Sequence, residues 1–371
     1  MRLSLKEALK EIKGNRFFKT LERDGLIKIS YRFNSPKVFD TSLKRELRGI
    51  TFSKKTGKVL SRPYHKFFNL GETEETERER FTGREFIFRE KLDGTMLHPV
   101  LAGGEVKLLT QKGFENPQTM KGEELLKKTP ALYKKTKEML EKGYTPIFEL
   151  VSPQFQLVIP YDREELLLTE VRDSETGEYL LENLEGELKE AGFKLPKKLA
   201  GKFEEVEREL EAAEMVEGFV LKDFSKKEPF PLFVKVKAPW YYEHHYAFTY
   251  LHNIPSHKLF NLYLMGKADE VFSKVLNKEL RRRREEELMK MAELHLTLSD
   301  LVGRYKNLPQ ERAVKKIASK VNRLFLKKFK RLELEEDYLK EALRIAKKGG
   351  SFEKFLANKL YLLIKAGKVQ P

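Results

Sequence analysis

The 371-residue sequence has no cysteine, one tryptophan and no apolar run that approaches the length of about 18 residues needed to span a membrane. Without cysteine, disulfide bridges, thiolate nucleophiles and zinc–thiolate sites are all excluded. The polar start of the chain lacks the apolar stretch of a signal peptide, so we expect a cytoplasmic protein with no membrane partner. No G-x-x-x-x-G-K-[ST] loop is present, so phosphate binding of the P-loop type is excluded.

The charge is unevenly distributed along the chain. The net charge is +16, and residues 251–371 carry 28 Lys and Arg against 15 Asp and Glu, which leaves only +3 for residues 1–250. A basic block attached to a nearly neutral body indicates a polyanionic partner such as nucleic acid, although a solvated lysine-rich helical surface explains the charge equally well. The abundance of Lys, Arg and Glu favours a heat-adapted source.

Short apolar or alternating runs separated by turn residues predict strands between residues 25 and 240. The predicted strands are 86–88, 106–109, 147–151, 156–159, 166–171, 218–222 and 232–237. Helices are predicted around 122–142, 182–191 and 203–213. The length of the chain favours two domains, and this pattern predicts an α+β domain built on antiparallel sheet over residues 1–242.

The hydrophobic period becomes helical after about residue 243, which predicts an all-α, basic C-terminal domain over residues 243–371. The residues expected on the buried helix faces are Val314, Ile317, Val321 and Leu324, then Leu339, Leu343 and Ala346. Ser351 is placed to cap the last helix. The run Arg281–Glu287 could touch RNA, but on a helix its charges can pair with each other, and we favour this second interpretation.

One lysine stands out as a candidate nucleophile. Lys91 follows the predicted strand Phe86–Glu90 and precedes Leu92-Asp93-Gly94, where the glycine lets a ligand approach the backbone. This short motif is weak alone, because four such residues recur by chance and an exposed turn lysine then explains them better. Charged residues embedded in apolar strands downstream strengthen it: Glu149, Glu217, Lys235 and Lys237. Since side chains alternate along a strand, Lys235 and Lys237 project to the same face and could grip one phosphate.

These segments together resemble motifs of the covalent nucleotidyltransferases, which include DNA ligases, RNA ligases and mRNA capping enzymes. The matching segments are Lys91–Gly94, Phe148–Pro153, Glu217–Lys222 and Lys235–Lys237. Further segments resemble the phage-type RNA ligase 1 family in particular: Arg48–Phe52, Lys66–Glu72, Gln111–Gly113, Val151–Tyr161 and Trp240-Tyr241. The similarity spans about residues 45–242. Phe114, where the family usually has serine, and the inserted Ala238-Pro239 depart from the pattern.

The resemblance implies an antiparallel-sheet nucleotidyltransferase domain of the ATP-grasp-like ligase type and an ATP-dependent RNA ligase. In that chemistry Lys91 takes AMP from ATP, the AMP passes to an RNA 5′-phosphate, and a 3′-hydroxyl displaces it. The cofactors implied are ATP and Mg²⁺, with Mn²⁺ as a possible substitute, and the partner is RNA or single-stranded DNA. The oligomeric state stays open.

The resemblance also implies a role for individual residues. Glu149 would hold the ribose and Glu217 the metal, while Arg48 and Lys112 would steady the phosphates. The other candidates are Glu90 and Tyr241 as nucleotide-binding residues, Lys235 and Lys237 as catalytic cations, Asp93 and Gly94 as shapers of the lysine turn, and Trp240 as a packing residue. Because lysine is protonated at neutral pH, the pKa of Lys91 must fall, and we expect Lys235, Lys237 and Mg²⁺ to lower it.

Three alternatives remain. DNA ligases and capping enzymes normally follow this domain with an OB-type β-barrel, whereas helices are predicted here. A non-catalytic RNA-binding protein would not need the lysine and its strand-borne partners.

His244-His245 resembles part of a metal site, but no third ligand at suitable spacing is evident, so we favour a role at the domain junction.

Overall fold

The computed structural model describes residues 1–225 and 229–371, and the chain divides into two compact units, Met1–Tyr242 and Glu243–Pro371. In these described residues, no helix has both the length and the apolar character to cross a membrane.

The described residues of the first unit form three sheets. Its strands are β1 (Phe18–Arg23), β2 (Leu26–Tyr31), β3 (Ile50–Ser53), β4 (Val59–Ser61), β5 (Phe68–Asn69), β6 (Glu85–Lys91), β7 (Thr95–Ala102), β8 (Glu105–Thr110), β9 (Tyr144–Val151), β10 (Glu165–Asp173), β11 (Lys198–Lys202), β12 (Gly218–Asp223) and β13 (Leu232–Lys237). The strand orders are β1-β2-β3-β4, β10-β9-β7-β8 and β11-β6-β12-β13-β5. All neighbours pair antiparallel except β13 and β5, which pair parallel. The predicted α+β class with antiparallel sheet is confirmed.

Among its described residues, the α-helices of this unit are α1 (Leu5–Glu11), α2 (Ser42–Glu46), α3 (Pro117–Lys127), α4 (Pro130–Glu141), α5 (Leu181–Glu190) and α6 (Phe203–Glu211). The single helix predicted over 122–142 is two helices, because Pro130 at the first position of α4 disfavours helical geometry in the residue before it. Gly122 of α3 lies against the sheet so closely that a Cβ there would come 2.4 Å from Leu97 Cδ1. Because Gly122 has no side chain, α3 can pack closely against β7 and β8.

The strand predicted over 156–159 is wrong. Gln156–Ile159 forms an irregular loop after β9, although Val158 and Ile159 are buried as the apolar pattern requires. The backbone N–H groups of Val158 and Ile159 donate to Asp93 Oδ2, each at 2.8 Å. These N–H groups bond to a side chain and not to a neighbouring strand, which the apolar pattern alone could not indicate.

The second unit is helical, as predicted. The boundary between the units, Tyr242/Glu243, falls within helix α7 (Pro239–Asn253). The helices that follow are α8 (Ser256–Leu264), α9 (Ala268–Ser273), α10 (Lys278–Tyr305), α11 (Gln310–Phe325), α12 (Glu336–Lys347) and α13 (Phe352–Lys365). A small antiparallel pair, β14 (Arg331–Leu332) with β15 (Val369–Gln370), was not predicted. Ser351 precedes α13 as predicted, but its side chain makes no capping hydrogen bond.

The predicted buried faces hold with one exception. Val314, Ile317 and Val321 of α11 are buried, whereas Leu324 is 46% exposed and Phe325 is buried in its place. The helix therefore continues its buried stripe by a step of four residues after Val321. The equivalent prediction for α12 is confirmed, since Leu339, Leu343 and Ala346 are all buried.

Candidate active site

Three adjacent strands place Lys91 beside a carboxylate and a second lysine. In the sheet register, Lys91 at the end of β6 lies opposite Gly218 of β12, and Gly218 lies opposite Lys237 of β13. Glu217 immediately precedes β12, and its Oε1 lies 2.9 Å from Lys91 Nζ and 2.9 Å from Lys237 Nζ. The carboxylate is buried, while the two lysine side chains retain some exposure. The result is a lysine pair bridged by one carboxylate at a strand end.

Gly218 makes this arrangement possible. Its φ of +143° lies in a region that other residues rarely adopt, and a Cβ there would come 2.1 Å from the carbonyl oxygen of Val236. The backbone N–H of Ala238 donates to the carbonyl oxygen of Glu217 at 3.0 Å. The backbone at Glu217 and Gly218 is therefore held against β13, and the two lysines hold the Glu217 carboxylate.

The turn after Lys91 packs against β9. A Cβ on Gly94 would come 2.3 Å from the carbonyl oxygen of Leu150 and 3.0 Å from Cγ of Glu149. Only glycine lets the turn lie this close to the strand, so Gly94 shapes the lysine turn as predicted. The close approach also places Glu149, near the end of β9, next to the candidate nucleophile.

Asp93 is a buried anchor for the surrounding loops. One of its carboxylate oxygens accepts from the loop after β9, and the other accepts from the Tyr241 hydroxyl at 2.7 Å. Its own backbone N–H donates to the Tyr161 hydroxyl at 3.0 Å. Asp93 therefore has a positioning role, consistent with the prediction that it shapes the turn.

Tyr241 does not occupy the position expected for a nucleotide contact. It is 2% exposed, and its hydroxyl is engaged by Asp93. Its ring lies 4.8 Å from Lys237 Nζ, so the ring and not the hydroxyl faces the lysine pair. This geometry does not support the prediction that the hydroxyl contacts phosphate or substrate.

A cavity of about 540 Å³ opens beside Lys91, between the β10-β9-β7-β8 sheet and the β11-β6-β12-β13-β5 sheet. Seven of the predicted site residues line it: Arg48, Glu90, Lys91, Lys112, Glu149, Lys235 and Lys237. Glu217 and Tyr241 are not in the lining, although Glu217 touches both lysines that are. Apolar groups form part of the wall: Tyr64, Phe67, Met96 and Val220. Cationic and apolar surfaces thus face the same space, as a nucleotide requires.

The carboxylates control the protonation of Lys91. Burial opposes its charged form, but the nearby carboxylates of Glu217 and Glu149 outweigh burial and raise the pKa of Lys91 above its usual value. The expected fall in the pKa of Lys91 is therefore absent from this state of the protein. Burial in turn raises the pKa of Glu149 to about 8, whereas Lys91 and Lys237 overcome burial and lower the pKa of Glu217.

Lys235 is held in a different environment. Burial, and then the positive charges of Lys66 and Arg48, lower the pKa of Lys235 well below its usual value. Its ammonium lies 4.9 Å from the centre of the Phe67 ring. An anion in the cavity would relieve this accumulation of positive charge, so the cluster favours phosphate.

Sequence reasoning gave no role to two buried lysines. Lys66 lies 5.0 Å from the Phe68 ring, and burial lowers the pKa of Lys66 to about 8. Its position inside an aromatic run was the available signal. Lys28 donates to the carbonyl oxygens of Thr110 at 2.5 Å and Gly113 at 2.7 Å, so it holds the loop that carries Lys112. Lys28 lies in an otherwise ordinary strand, which gave no signal.

A metal site made wholly of protein ligands is not found. Across residues 1–225 and 229–371, no group of three or more His, Asp or Glu side chains is placed to hold a metal ion. This includes His244 and His245. Mg²⁺ commonly binds through one or two carboxylates together with substrate phosphates and water, so Glu217 and Glu149 remain suitable ligands.

Comparison with known proteins identifies the family. The family model described as RNA ligase matches residues 46–241. A protein of Thermovibrio ammonificans named "Putative RNA ligase" is 55% identical over 98% of both chains. RNA ligase 1 of Bacteriophage TS2126 is 30% identical over 64% of this chain and 61% of that protein. The chain belongs to this RNA ligase family, which confirms the resemblance to phage-type RNA ligase 1.

Similarity to solved structures is weaker. A structure described as an archaeal ATP-dependent RNA ligase aligns over 93% of this chain and 96% of that chain, with 16% identity and a TM-score of 0.49. This similarity is too low to carry an argument about mechanism.

Proposed function

We propose that this chain is an ATP-dependent RNA ligase that joins a 3′-hydroxyl to a 5′-phosphate through AMP held covalently on Lys91. The observation that carries the proposal is the position of Lys91 Nζ, which lines the cavity and contacts a buried carboxylate shared with Lys237. Membership of the RNA ligase family supports RNA as the substrate.

The cavity suits the parts of ATP. Its apolar wall, which includes Phe67 and Met96, suits a base, and the Glu149 carboxyl can bond to ribose hydroxyls. Arg48 and Lys112 reach the same cavity and suit the outer phosphates. Each of these side chains comes from a different strand or loop, so a nucleotide would tie several elements together.

In the first step, the lone pair of Lys91 Nζ attacks the α-phosphorus of ATP. An N–P bond forms, the P–O bond to pyrophosphate breaks, and Nζ gives up its proton. Lys235 and Lys237 stabilise the charge that develops on the phosphate oxygens. A divalent ion such as Mg²⁺ or Mn²⁺, held by Glu217 or Glu149, would supply further neutralisation of the phosphates.

Lys91 must become neutral before it attacks. Its pKa is raised by Glu217 and Glu149 in the protein without ligands. When another cation engages those carboxylates, Lys91 loses the contacts that hold its proton, while Lys237 stays close to it. The pKa of Lys91 then falls because the remaining neighbours are positive. This arrangement keeps the nucleophile inactive until its substrate is bound.

The second step transfers the adenylyl group from Lys91 to RNA, and the third step joins the two RNA ends. An oxygen of the RNA 5′-phosphate attacks the AMP phosphorus, and the N–P bond to Lys91 breaks. The 3′-hydroxyl of the second RNA end then attacks the activated 5′-phosphorus, which forms the phosphodiester and releases AMP. The same cations suit both displacements, since each places negative charge on phosphate oxygens.

A pulse and chase experiment tests the proposal. The protein is incubated with ATP labelled at the α-phosphate and a divalent metal, freed of nucleotide, and then given RNA with a 5′-phosphate and a 3′-hydroxyl. We expect label on the protein, then on the RNA 5′ end, then as free AMP with joined product. RNA with a 5′-hydroxyl is the matched control and should take no label. A parallel incubation uses GTP labelled at the α-phosphate. Label on the protein from GTP only, or from neither nucleotide, contradicts the proposal.

Single-stranded DNA with the same end groups serves as a second acceptor. Joining of RNA in preference to DNA is expected from the family. Equal or faster joining of DNA would overturn the RNA assignment while leaving the lysyl-AMP chemistry intact.

A further inference from the structure

The second unit carries a basic groove along α11. The groove, which we call the α11 groove, has a volume of about 610 Å³. It is lined by five cationic residues, one acid, one serine and one tyrosine: Arg312, Lys315, Lys316, Lys320, Arg323, Glu311, Ser319 and Tyr305. The lining therefore carries a formal charge of +4, from five positive groups and one negative group.

The cations of the groove have a fixed spacing. Ala313, Ile317 and Val321 are fully buried on the opposite side of α11, so the helix cannot rotate without exposing its core face. Arg312, Lys316 and Lys320 follow each other at intervals of four residues, which corresponds to about 6 Å along the helix axis. A row of cations at this interval fits a linear chain of anionic groups better than a single anion.

These cations lack the acidic partners that neutralise other basic residues of the unit. Among residues 1–225 and 229–371, no carboxylate lies within 4.0 Å of the charged nitrogens of the five basic groove residues. Ion pairs within this distance occur at other basic residues of the same unit. On α10, by contrast, Arg281 contacts Glu285 at 2.8 Å and Arg282 contacts Glu286 at 2.7 Å. A solvated helix face normally mixes both signs, as α10 does, whereas the only acid of α11 is Glu311.

An aromatic ring completes the groove. Tyr305 is half-buried beside the cations, and Lys316 Nζ lies 5.5 Å from the centre of its ring. Unpaired bases stack on aromatic rings, and this contact adds to phosphate binding without requiring a particular base. The hydroxyl of Ser319 is a further hydrogen-bonding group in the same lining.

We propose that the α11 groove binds a single-stranded segment of the RNA substrate, through phosphates along the cation row and a base stacked on Tyr305. The inference rests on the proposed function, because it takes the partner to be the RNA that is joined. It also distinguishes two basic helices: α11 binds RNA, whereas three of the four arginines in the Arg281–Glu287 run of α10 pair with glutamates of the same run.

Two triple variants with the same change in charge test the inference. The first, Arg312→Gln, Lys316→Gln and Lys320→Gln, removes the three cations of the row from the α11 groove. The second, Arg281→Gln, Arg282→Gln and Arg283→Gln, removes three exposed cations from α10. Binding of a labelled single-stranded RNA is measured in the full-length protein over a range of salt concentrations, and self-labelling with ATP is measured alongside.

We expect the α11 variant to bind RNA about ten-fold or more weakly and to reduce the slope of log affinity against log salt by about 2, at about 0.7 for each lost phosphate contact. The α10 variant should bind like the unmodified protein. Equal binding by both variants, or a greater loss from the α10 variant, overturns the inference.

Tyr305→Leu tests the stacking contact separately, since leucine keeps an apolar side chain but removes the ring. It should weaken binding of single-stranded RNA by about five-fold or more and leave double-stranded RNA unaffected. An equal loss for both forms of RNA would contradict stacking. Normal self-labelling in all variants distinguishes a failure of this inference from a failure of the lysyl-AMP proposal, which would show as no label on the unmodified protein.

Discussion

The two units treat charge in opposite ways. The first unit buries many charged side chains, which include Lys28, Glu46, Lys66, Arg172 and Glu217. Among the described residues of the second unit no charged side chain is buried, and its core is formed by apolar residues of α7 to α13. Charge is costly to bury, so a unit that buries this much has a reason beyond stability.

The buried charges of the first unit serve two purposes. Buried Glu217 holds Lys91 and Lys237, which line the cavity, where an anionic substrate would relieve the accumulation of positive charge. Glu46, with Arg62 and Arg172, lies apart from the cavity lining and ties loops of the unit together. In the second unit the apolar core supports helices whose charges remain on the surface. This contrast agrees with the proposals that the first unit carries out the chemistry and that the second recognises RNA through its surface.

The largest expected effect comes from removing the nucleophile. Lys91→Ala should reduce covalent labelling by ATP at least about a thousand-fold, because no other group replaces an amine at this position. Thermal unfolding should stay close to that of the unmodified protein, since Lys91 is partly exposed. Lys134→Ala, at an exposed lysine of α4, is the control and should label normally. Normal labelling of Lys91→Ala would contradict Lys91 as the nucleophile and the functional explanation of the charges around it.

Breaking the buried ion cluster should destabilise the first unit severely. Glu46 accepts from Arg172 at 2.8 and 2.9 Å and from Arg62 at 3.2 Å, and all three side chains are fully buried. Glu46→Ala leaves two arginines unpaired and should cost about 3 to 5 kcal/mol, measured by denaturant unfolding. Glu285→Ala, which breaks a surface pair of the second unit, should leave the midpoint nearly unchanged. Similar losses in both variants would erase the contrast between the units.

The Glu217 carboxylate should control how readily Lys91 reacts. Glu217→Gln removes a contact that raises the pKa of Lys91, so more of the amine is neutral at a given pH. We expect modification of Lys91 by an amine-specific reagent, followed by peptide mass spectrometry without nucleotide, to become several-fold faster. Glu243→Gln removes the partner of Lys274 on the surface of the second unit and should change the reactivity of Lys274 much less. An unchanged rate at Lys91 would show that Glu217 does not hold its proton.

The smallest effect concerns pH. Burial raises the pKa of Glu149 to about 8, above its value of about 4.3 in an unfolded chain. The folded protein therefore binds this proton more tightly, and its stabilising effect is complete below about pH 4 and is lost as the pH rises through about 8. The Tm without nucleotide should fall between pH 6 and pH 9. Glu149→Gln should make this fall smaller, by about 2 to 4 °C for each kcal/mol that the Glu149 proton contributes to the free energy of unfolding. Glu190→Gln, at an exposed position, should leave the profile unchanged, and an identical profile for Glu149→Gln would contradict the buried proton.

Much of the first unit could be predicted because its site residues lie on strands. Alternation placed Lys235 and Lys237 on one face, and both line the cavity. The order of charged residues in the sequence could not give the register, which brings Gly218 opposite both Lys91 and Lys237. That register is set by pairing between strands far apart in the sequence, and local patterns carry no information about it.

The strand predicted over 156–159 was wrong because a side chain can replace a backbone hydrogen-bond partner. Gln156–Ile159 has the apolar pattern of a strand, but Asp93 accepts the hydrogen bonds that a neighbouring strand would take. Tyr241, whose contact with the nucleotide stays a prediction, donates its hydroxyl to the same aspartate. Lys28 was missed because a lysine in a strand is normally exposed, and here two loop carbonyl oxygens hold it inside.

The most direct test of the central claim is to locate the AMP on the protein. After incubation with ATP and Mg²⁺, the protein is digested and the modified peptide is sequenced by mass spectrometry under conditions that preserve the N–P bond. The account predicts AMP on Lys91 within the peptide that contains Leu92-Asp93-Gly94. AMP on Lys66, Lys235 or Lys237, with Lys91 unmodified, would contradict it.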